Sequence, residues 1–385
     1  MDYKAVFDAI DELFSEYVQL WVDVCNIESP TASKEGVDAV CDFLAEKAKA
    51  HGWEIEINEQ EVSGNAACFT MNPDASKAPV CLSGHMDTVH PIGSFGTPAV
   101  KIDSEKIYGP GVEDCKGGIV SALLAMHALE KCGYTDRPVK LILQSDEELS
   151  SLPSGKGTVK FMAEKAKGCV AFLNGEGSDK EFSKLIVERK GILRFILTVK
   201  GKSAHSSRCF DGASAVLEAA HKIIELERFA AEDGITSNCG IINGGSTANS
   251  VPDHCEITVD FRFKNEIQRE EVIKAVDDAA KNTHVEGTSC TWRIKSERVA
   301  MPLCDKNVEL VKKIRRCYAE AGLSDSVAAS ATGGSDAADM TGYGIPVIDS
   351  IGVAGGRIHS TEEFAYLESL RESARRQAAV IMLID

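Results

Sequence analysis

The chain predicts an α/β protein with a mainly parallel sheet and helices on both faces, interrupted by an inserted α+β ferredoxin-like domain. Three observations lead there. Near-continuous apolar runs at 139–144 (VKLILQ) and 169–173 (CVAFL) read as strands buried on both faces. Stretches of helical apolar spacing alternate with them, the clearest at 117–131 (GGIVSALLAMHALEK). Around Lys190 the texture changes, and 190–298 reads strand, helix, strand, strand, helix, strand.

In chain order, a helix runs to about Cys25, and a second spans 34–51 and ends in His51-Gly52. Short apolar strands follow at 66–71 and 79–82. In the insertion, 192–200 alternates like an antiparallel strand and 213–232 reads as a long helix. Strands at 240–243 and 255–263, a helix at 266–282 and a strand at 289–296 complete it. Beyond Met301 the helix–strand alternation returns, with 346–351 (PVIDSI) as a strand before a C-terminal helix. The domain boundaries expected are 1–189 with 299–385 for the α/β domain and 190–298 for the insertion.

Composition narrows the function. A formal net charge of −17 argues against nucleic acid or an anionic membrane as partner, because both need a basic footprint. An anionic substrate would have to meet a local cationic pocket. No apolar run approaches the roughly 20 residues of a membrane span. The start of the chain reads as an acidic amphipathic helix rather than a signal peptide. Thirteen cysteines without a C-x-x-C pair point to reduced thiols and a cytoplasmic protein. Cys115 stands out because it touches a motif.

Five motifs sit where a sheet-based site would place them, at the carboxyl ends of strands. In Gly84-His85-Met86-Asp87, an imidazole and a carboxylate two apart leave the same face at strand spacing. Such a pair suits a borderline divalent cation. In Tyr108-Gly109-Pro110-Gly111-Val112-Glu113-Asp114-Cys115, the G-x-G follows no clear strand, which weakens a nucleotide reading. What the segment offers is Asp114 on a tight backbone just before a helix, either to bridge two cations or to cap that helix. Ser145-Asp146-Glu147-Glu148 follows the VKLILQ strand. Adjacent carboxylates on an extended segment point to opposite sides, so one can hold metal while the other addresses water; the plainer reading is a solvated acidic turn. Glu176 lies between glycines after the CVAFL strand, and His359 follows a glycine-rich loop before the last helix, where a helix-terminal polar residue is the alternative. Together His85, Asp114, Glu148, Glu176 and His359 make five ligands for a two-metal centre with Asp114 shared, the ions roughly 3.5–4 Å apart.

At these residues the chain resembles the two-zinc metallopeptidases that include bacterial glutamate carboxypeptidase, succinyl-diaminopimelate desuccinylase, acetylornithine deacetylase and aminoacylases. GHMDTV, YGPGVEDCKGG, SDEE, GKSAH, TGGSDAA and IHSTEE carry the resemblance over nearly the whole chain. It implies a zinc-peptidase-like fold whose insertion is a lid and dimerisation domain, and two Zn2+ per subunit, with Co2+ or Mn2+ tolerated. His85, Glu176 and bridging Asp114 would bind one ion, and Glu148, His359 and Asp114 the other. Asp87 would orient His85, and Glu147 would be the general base acting on a water between the ions. His205 resembles the family's lid histidine, which reaches a neighbouring subunit's active site; without the family it is an ordinary surface residue. Asn249 and Arg262 match positions that bind a substrate carboxylate, although Arg262 could equally pair with Asp260 or Glu256 across the sheet. The activity implied is hydrolysis of an amide bond beside a free carboxylate, in small peptides or N-acyl amino acids, by a homodimer. A deacylase of succinyl- or acetyl-amino acids is the alternative within the family, and a non-catalytic metal-binding homologue the alternative outside it.

Two departures stand against this pattern. Leu149-Ser150-Ser151 and the loop to Gly157 replace the family's usual x-Gly-Ser after the paired glutamates. Cys115 follows Asp114 where the family often has a second Asp and a cis peptide. Arg357 near His359 is either a further anion contact or a solvated loop residue.

Overall fold

In a computed structural model that describes residues 2–231 and 234–385, the chain divides into two compact units. Unit 1 comprises Met1–Val187, Leu303–Ser330 and Ser335–Asp385; unit 2 comprises Glu188–Pro302 and Ala331–Gly334.

Unit 1 is built on a six-stranded sheet in the spatial order Glu54–Asn58, Ala66–Met71, Val139–Gln144, Val80–His85, Ala171–Asn174 and Val347–Ile348. The last four strands run parallel, and Ala66–Met71 is antiparallel to both of its neighbours. Every residue of Val80–His85 is buried, as an interior strand covered on both faces requires. The Lys116–Lys131 helix, apolar nearly all round, packs on this strand and against the Tyr3–Asn26 and Leu367–Leu383 helices. The parallel register pairs His85 with Gln144 and Ser83 with Asn174. Three strands therefore end level, and whatever follows each of them meets at one edge.

A second, antiparallel sheet of short strands in unit 1 orders Gly355–Gly356, Phe364–Tyr366, Lys106–Tyr108 and Lys101–Ile102. The pairing of Phe364 with Tyr108 brings the 357–363 loop beside the 109–115 loop. The G-x-G segment thus does follow a strand, a three-residue one too short to register as an apolar run. The expected 346–351 strand is confined to Val347–Ile348. Asp349 exchanges backbone hydrogen bonds with Ile186, and Ser350 takes a φ of +62°, so the chain leaves the sheet there.

Unit 2 carries a four-stranded antiparallel sheet in the order Thr236–Gly244, His254–Phe263, Gly191–Lys200 and Ser289–Arg298. Strict alternation along Gly191–Lys200 puts Leu193, Phe195, Leu197 and Val199 in its core. The Ala215–Glu227 and Glu266–Lys281 helices pack against the sheet. The first is shorter than its 213–232 pattern, ending at Glu227, with Phe229 beyond it packed against the core; position 232 lies outside the described residues.

On that helix, Lys222 and Glu218 form an ion pair at 2.6 Å with side chains 0% and 1% exposed. Glu218 also accepts from the backbone N–H of His284 and of Val285, tying down the loop after the second helix. Removing one partner strands a charge in the core. Glu218→Ala is therefore expected to cost about 3–5 kcal/mol, read by denaturant unfolding, while a surface control such as Glu271→Ala stays near the natural chain.

Candidate metal centre

The level strand ends of unit 1 deliver four of the singled-out groups to one place. His85 closes its strand, the Glu147–Leu149 turn follows Val139–Gln144, and Glu176 lies two residues beyond Ala171–Asn174. Asp114 stands directly before the Lys116–Lys131 helix, and the Asp114–Cys115 peptide is cis. Gly118, in the first turn of that helix, permits the approach: a Cβ there would lie 1.9 Å from the carbonyl oxygen of Gly175.

Asp114 presents a different oxygen to each of two imidazoles. Its Oδ1 is 3.0 Å from His85 Nε2, and its Oδ2 is 3.2 Å from His359 Nε2. Glu176 Oε1 lies 3.8 Å from His85 Nε2, and Glu148 Oε2 lies 3.3 Å from His359 Nε2. His85, Asp114 and Glu148 each offer a donor atom within 4.8 Å of the others.

Glu147 and Glu148 occupy a 3₁₀ turn rather than the extended segment their sequence implied. Asp87 explains the turn. Its buried carboxylate accepts from the backbone N–H of Glu147 and of Glu148, each at 3.1 Å, and from the Thr31 hydroxyl at 2.7 Å. The strand stops at His85, so Asp87 does not extend it; His85 Nδ1 lies 2.9 Å from the Asp87 backbone carbonyl and 3.4 Å from its carboxylate. One residue thus fixes the imidazole and the acidic pair together.

The charges are badly matched without cations. Burial, and then the charge of Asp114, holds Glu176 well above the usual carboxylate range. Burial pushes Glu148 up to about 7, with Asp114 adding and the His359 hydrogen bond opposing. Burial also works against Asp114, but its hydrogen bonds to His359 and His85 keep it well below its ordinary value. Those to Asp114 and Glu148 raise His359 to about 10. Hard-to-borderline divalent cations would take the place of the protons that these imidazoles share with carboxylates, so the donor set fits such a metal.

Three further residues that carried no role in the sequence support Asp114. Glu363, 1% exposed, accepts from the backbone N–H groups of Gly111, Glu113 and Asp114 at 3.2, 2.9 and 3.1 Å and contacts His90 Nε2 at 2.8 Å. Gly111 meets this with a φ of +73°. Trp21 Nε1–H donates to the Val112 carbonyl at 3.1 Å. Lys116, fully buried, donates to the Val24 and Ile27 carbonyls at the end of the first helix; burial lowers its pKa. The pairing of Phe364 with Tyr108 puts Glu363 beside this loop; local sequence marks it as the last residue of IHSTEE but gives it no role. Cys115 is also buried, at a pKa pushed up to about 12, and its Sγ accepts from the His85 backbone N–H at 3.0 Å.

The loop that departs from the family pattern is held by Asp146, which accepts from Ser154 N–H and the Thr158 hydroxyl. Ser150 and Ser151 both take positive φ there. Arg357 is exposed and pairs with Glu362. In unit 2, His205 is exposed with Ser207 Oγ at 2.8 Å from its Nδ1, and it bridges to Ser250 beside Asn249. Arg262 Nε donates to Asp260 Oδ1 at 2.7 Å, whereas Glu256 pairs with Thr198, which resolves the two partners left open.

Residues 81–383 match the model of peptidase family M20/M25/M40, and the chain belongs to that family. It is an enzyme, a metal-dependent amide hydrolase of the carboxypeptidase-like kind. Carboxypeptidase G2 of Pseudomonas sp. (strain RS-16) is 25% identical over 385 residues, covering 98% of this chain and 92% of its own. Succinyl-diaminopimelate desuccinylase of Psychrobacter sp. (strain PRwf-1) is 26% identical over 318 residues, covering 77% of each. Among solved structures, aminopeptidase PepT from Bacillus cereus ATCC 10987 superposes with a TM-score of 0.79 at 23% identity, over 96% of this chain and 98% of that one. The family's metal dependence agrees with the donor set found here. No helix among the described residues is long and apolar enough to cross a membrane.

Because Glu363 fixes the backbone of Asp114 through three N–H groups, Glu363→Ala is expected to weaken divalent-metal retention about 10–100-fold, measured by chelator competition.

Proposed function

We propose that the chain is a dinuclear zinc hydrolase that cleaves an amide bond next to a free carboxylate, acting as a carboxypeptidase on small peptides or N-acyl amino acids. The observation that carries this reading is the Asp114 carboxylate facing one imidazole with each oxygen, with an acid beside each imidazole. His85, Asp114 and Glu176 would hold one cation, and His359, Asp114 and Glu148 the other. When bound, the ions would act as Lewis acids and lower the pKa of an attacking water.

Glu147 would serve proton transfer, the role that the family resemblance gives it. Its backbone is anchored to Asp87, and it adjoins Glu148, whose carboxylate faces His359. In this reading it takes a proton from the attacking water and delivers it to the leaving amine, while His205 polarises the scissile carbonyl. Asn249 and Arg262 would hold the substrate carboxylate.

Their placement favours a homodimer. His205 and Asn249 lie near the start of His254–Phe263, since Gly201 N–H donates to the Asp253 carbonyl there; Arg262 is near the strand's far end. Eight residues of strand separate these ends by roughly 25 Å, too far for one copy to bring all three to a small substrate. A second copy supplying His205 and Asn249 removes the conflict. Exposed Leu217 and Ile224 on the helix, with Ile241 and Ile242 on the edge strand, give unit 2 an apolar surface for such pairing. All thirteen cysteines are free, which fits a reducing, cytoplasmic setting.

The desuccinylase relative keeps the deacylase reading in play, and a panel of dipeptides, folyl-glutamate and acetyl- or succinyl-amino acids separates the two. Metal-dependent release of a C-terminal amino acid is the result expected; release from acetyl or succinyl compounds alone would transfer the enzyme to the deacylases. Glu147→Ala should keep the natural metal content and lose about 10²–10⁴-fold in kcat. Sedimentation should give a dimer for the natural chain and a monomer for Ile224→Glu with Ile242→Glu, with turnover lost and metal retained. Full turnover by that monomer would overturn the role of His205 in trans.

A further inference from the structure

Unit 1 holds a second cluster of ligand-type side chains that the proposed reaction does not use. His127 and Glu130 stand one turn apart on the Lys116–Lys131 helix, at the spacing that shares a helix face. His51, at the end of the Lys34–Ala50 helix, meets them. One donor atom from each of the three lies within 4.8 Å of the other two. His51 Nδ1 is 2.7 Å from Glu130 Oε2, and the rings of His51 and His127 have centroids 4.3 Å apart.

Each of these side chains is also oriented from behind. Trp53 Nε1–H donates to Glu130 Oε1 at 2.9 Å, leaving Oε2 to face His51. The indole stacks on the His51 ring at 4.8 Å. The Tyr17 hydroxyl engages His127 Nδ1 at 3.1 Å, the kind of outer partner that a metal-bound imidazole ordinarily has, so that Nε2 would be its ligating atom. Burial, and then His51, lowers the pKa of His127, which keeps that ring neutral and able to ligate. A cavity of about 320 Å³ opens at Tyr17 and His51, lined also by Glu16, Asp23 and Lys47.

We propose that His51, His127 and Glu130 form a separate site for a zinc-class divalent cation. Two imidazoles and one carboxylate are a zinc donor set with a fourth position open to water. The cation would take the place of the direct contact between His51 Nδ1 and Glu130 Oε2.

The test counts metal in the full chain. Metal-free protein is given zinc, desalted and assayed for bound zinc. His51→Gln, at a partly exposed helix end, and His127→Gln are each expected to hold one zinc per chain fewer than the natural protein, with peptide hydrolysis unchanged. In a chain lacking His85 and His359 through alanine substitution, one zinc should remain and should vanish when His51→Gln is added. That arm separates the new site from the reading of the Asp114 centre. Zinc contents equal in the natural chain and in folded His51→Gln would overturn the proposal. So would a cluster-intact His85→Ala, His359→Ala chain that binds none.

Discussion

Crowding acids around Asp114 is the constraint that the rest of unit 1 answers. Asp114, Glu148 and Glu176 bring three carboxylates into a poorly solvated pocket with only two imidazoles among them. Desolvation and mutual repulsion oppose this arrangement, and it needs both a cation partner and a rigid frame. The frame is largely backbone. Glu363 gathers three N–H groups of the Asp114 loop, and Asp87 gathers two from the Glu147–Glu148 turn. Each clamp is itself a buried carboxylate, so acids outside the proposed donor set hold in place the acids within it. Several N–H donors satisfy the oxygens of each clamp, which is why both can be buried beside the centre.

Much of this was legible in the sequence because strands buried on both faces are written as apolar runs. The 139–144 segment is a strand at the same residues, and 117–131 lies within one residue of its helix. His85, Glu147, Glu148 and Glu176 follow such runs directly, so their common edge could be expected from parallel topology alone. Glu363 could not be read this way. Its place depends on a three-residue strand pairing with another some 250 positions earlier, and neither carries a local signal. The turn that holds Glu147 was open to the sequence as an acidic turn, but its anchoring by buried Asp87 was not.

In unit 2 the local charge matters more than the packing. Arg262 pairs with Asp260, which taken alone would neutralise it as an anion receptor. Asp260 is shared, however: Arg194 Nε donates to its Oδ2 at 2.7 Å while Arg262 Nε donates to its Oδ1 at the same distance. Two guanidinium groups on one carboxylate leave a net positive charge and fix the plane of each fork. In a chain of formal net charge −17, the carboxylate-bearing substrate proposed above would meet a repulsive overall field, which a fixed local cation of this kind would offset. Under the proposed function, Asp260 would orient Arg262 rather than compete for it, and further N–H donors of the same guanidinium would serve a second carboxylate.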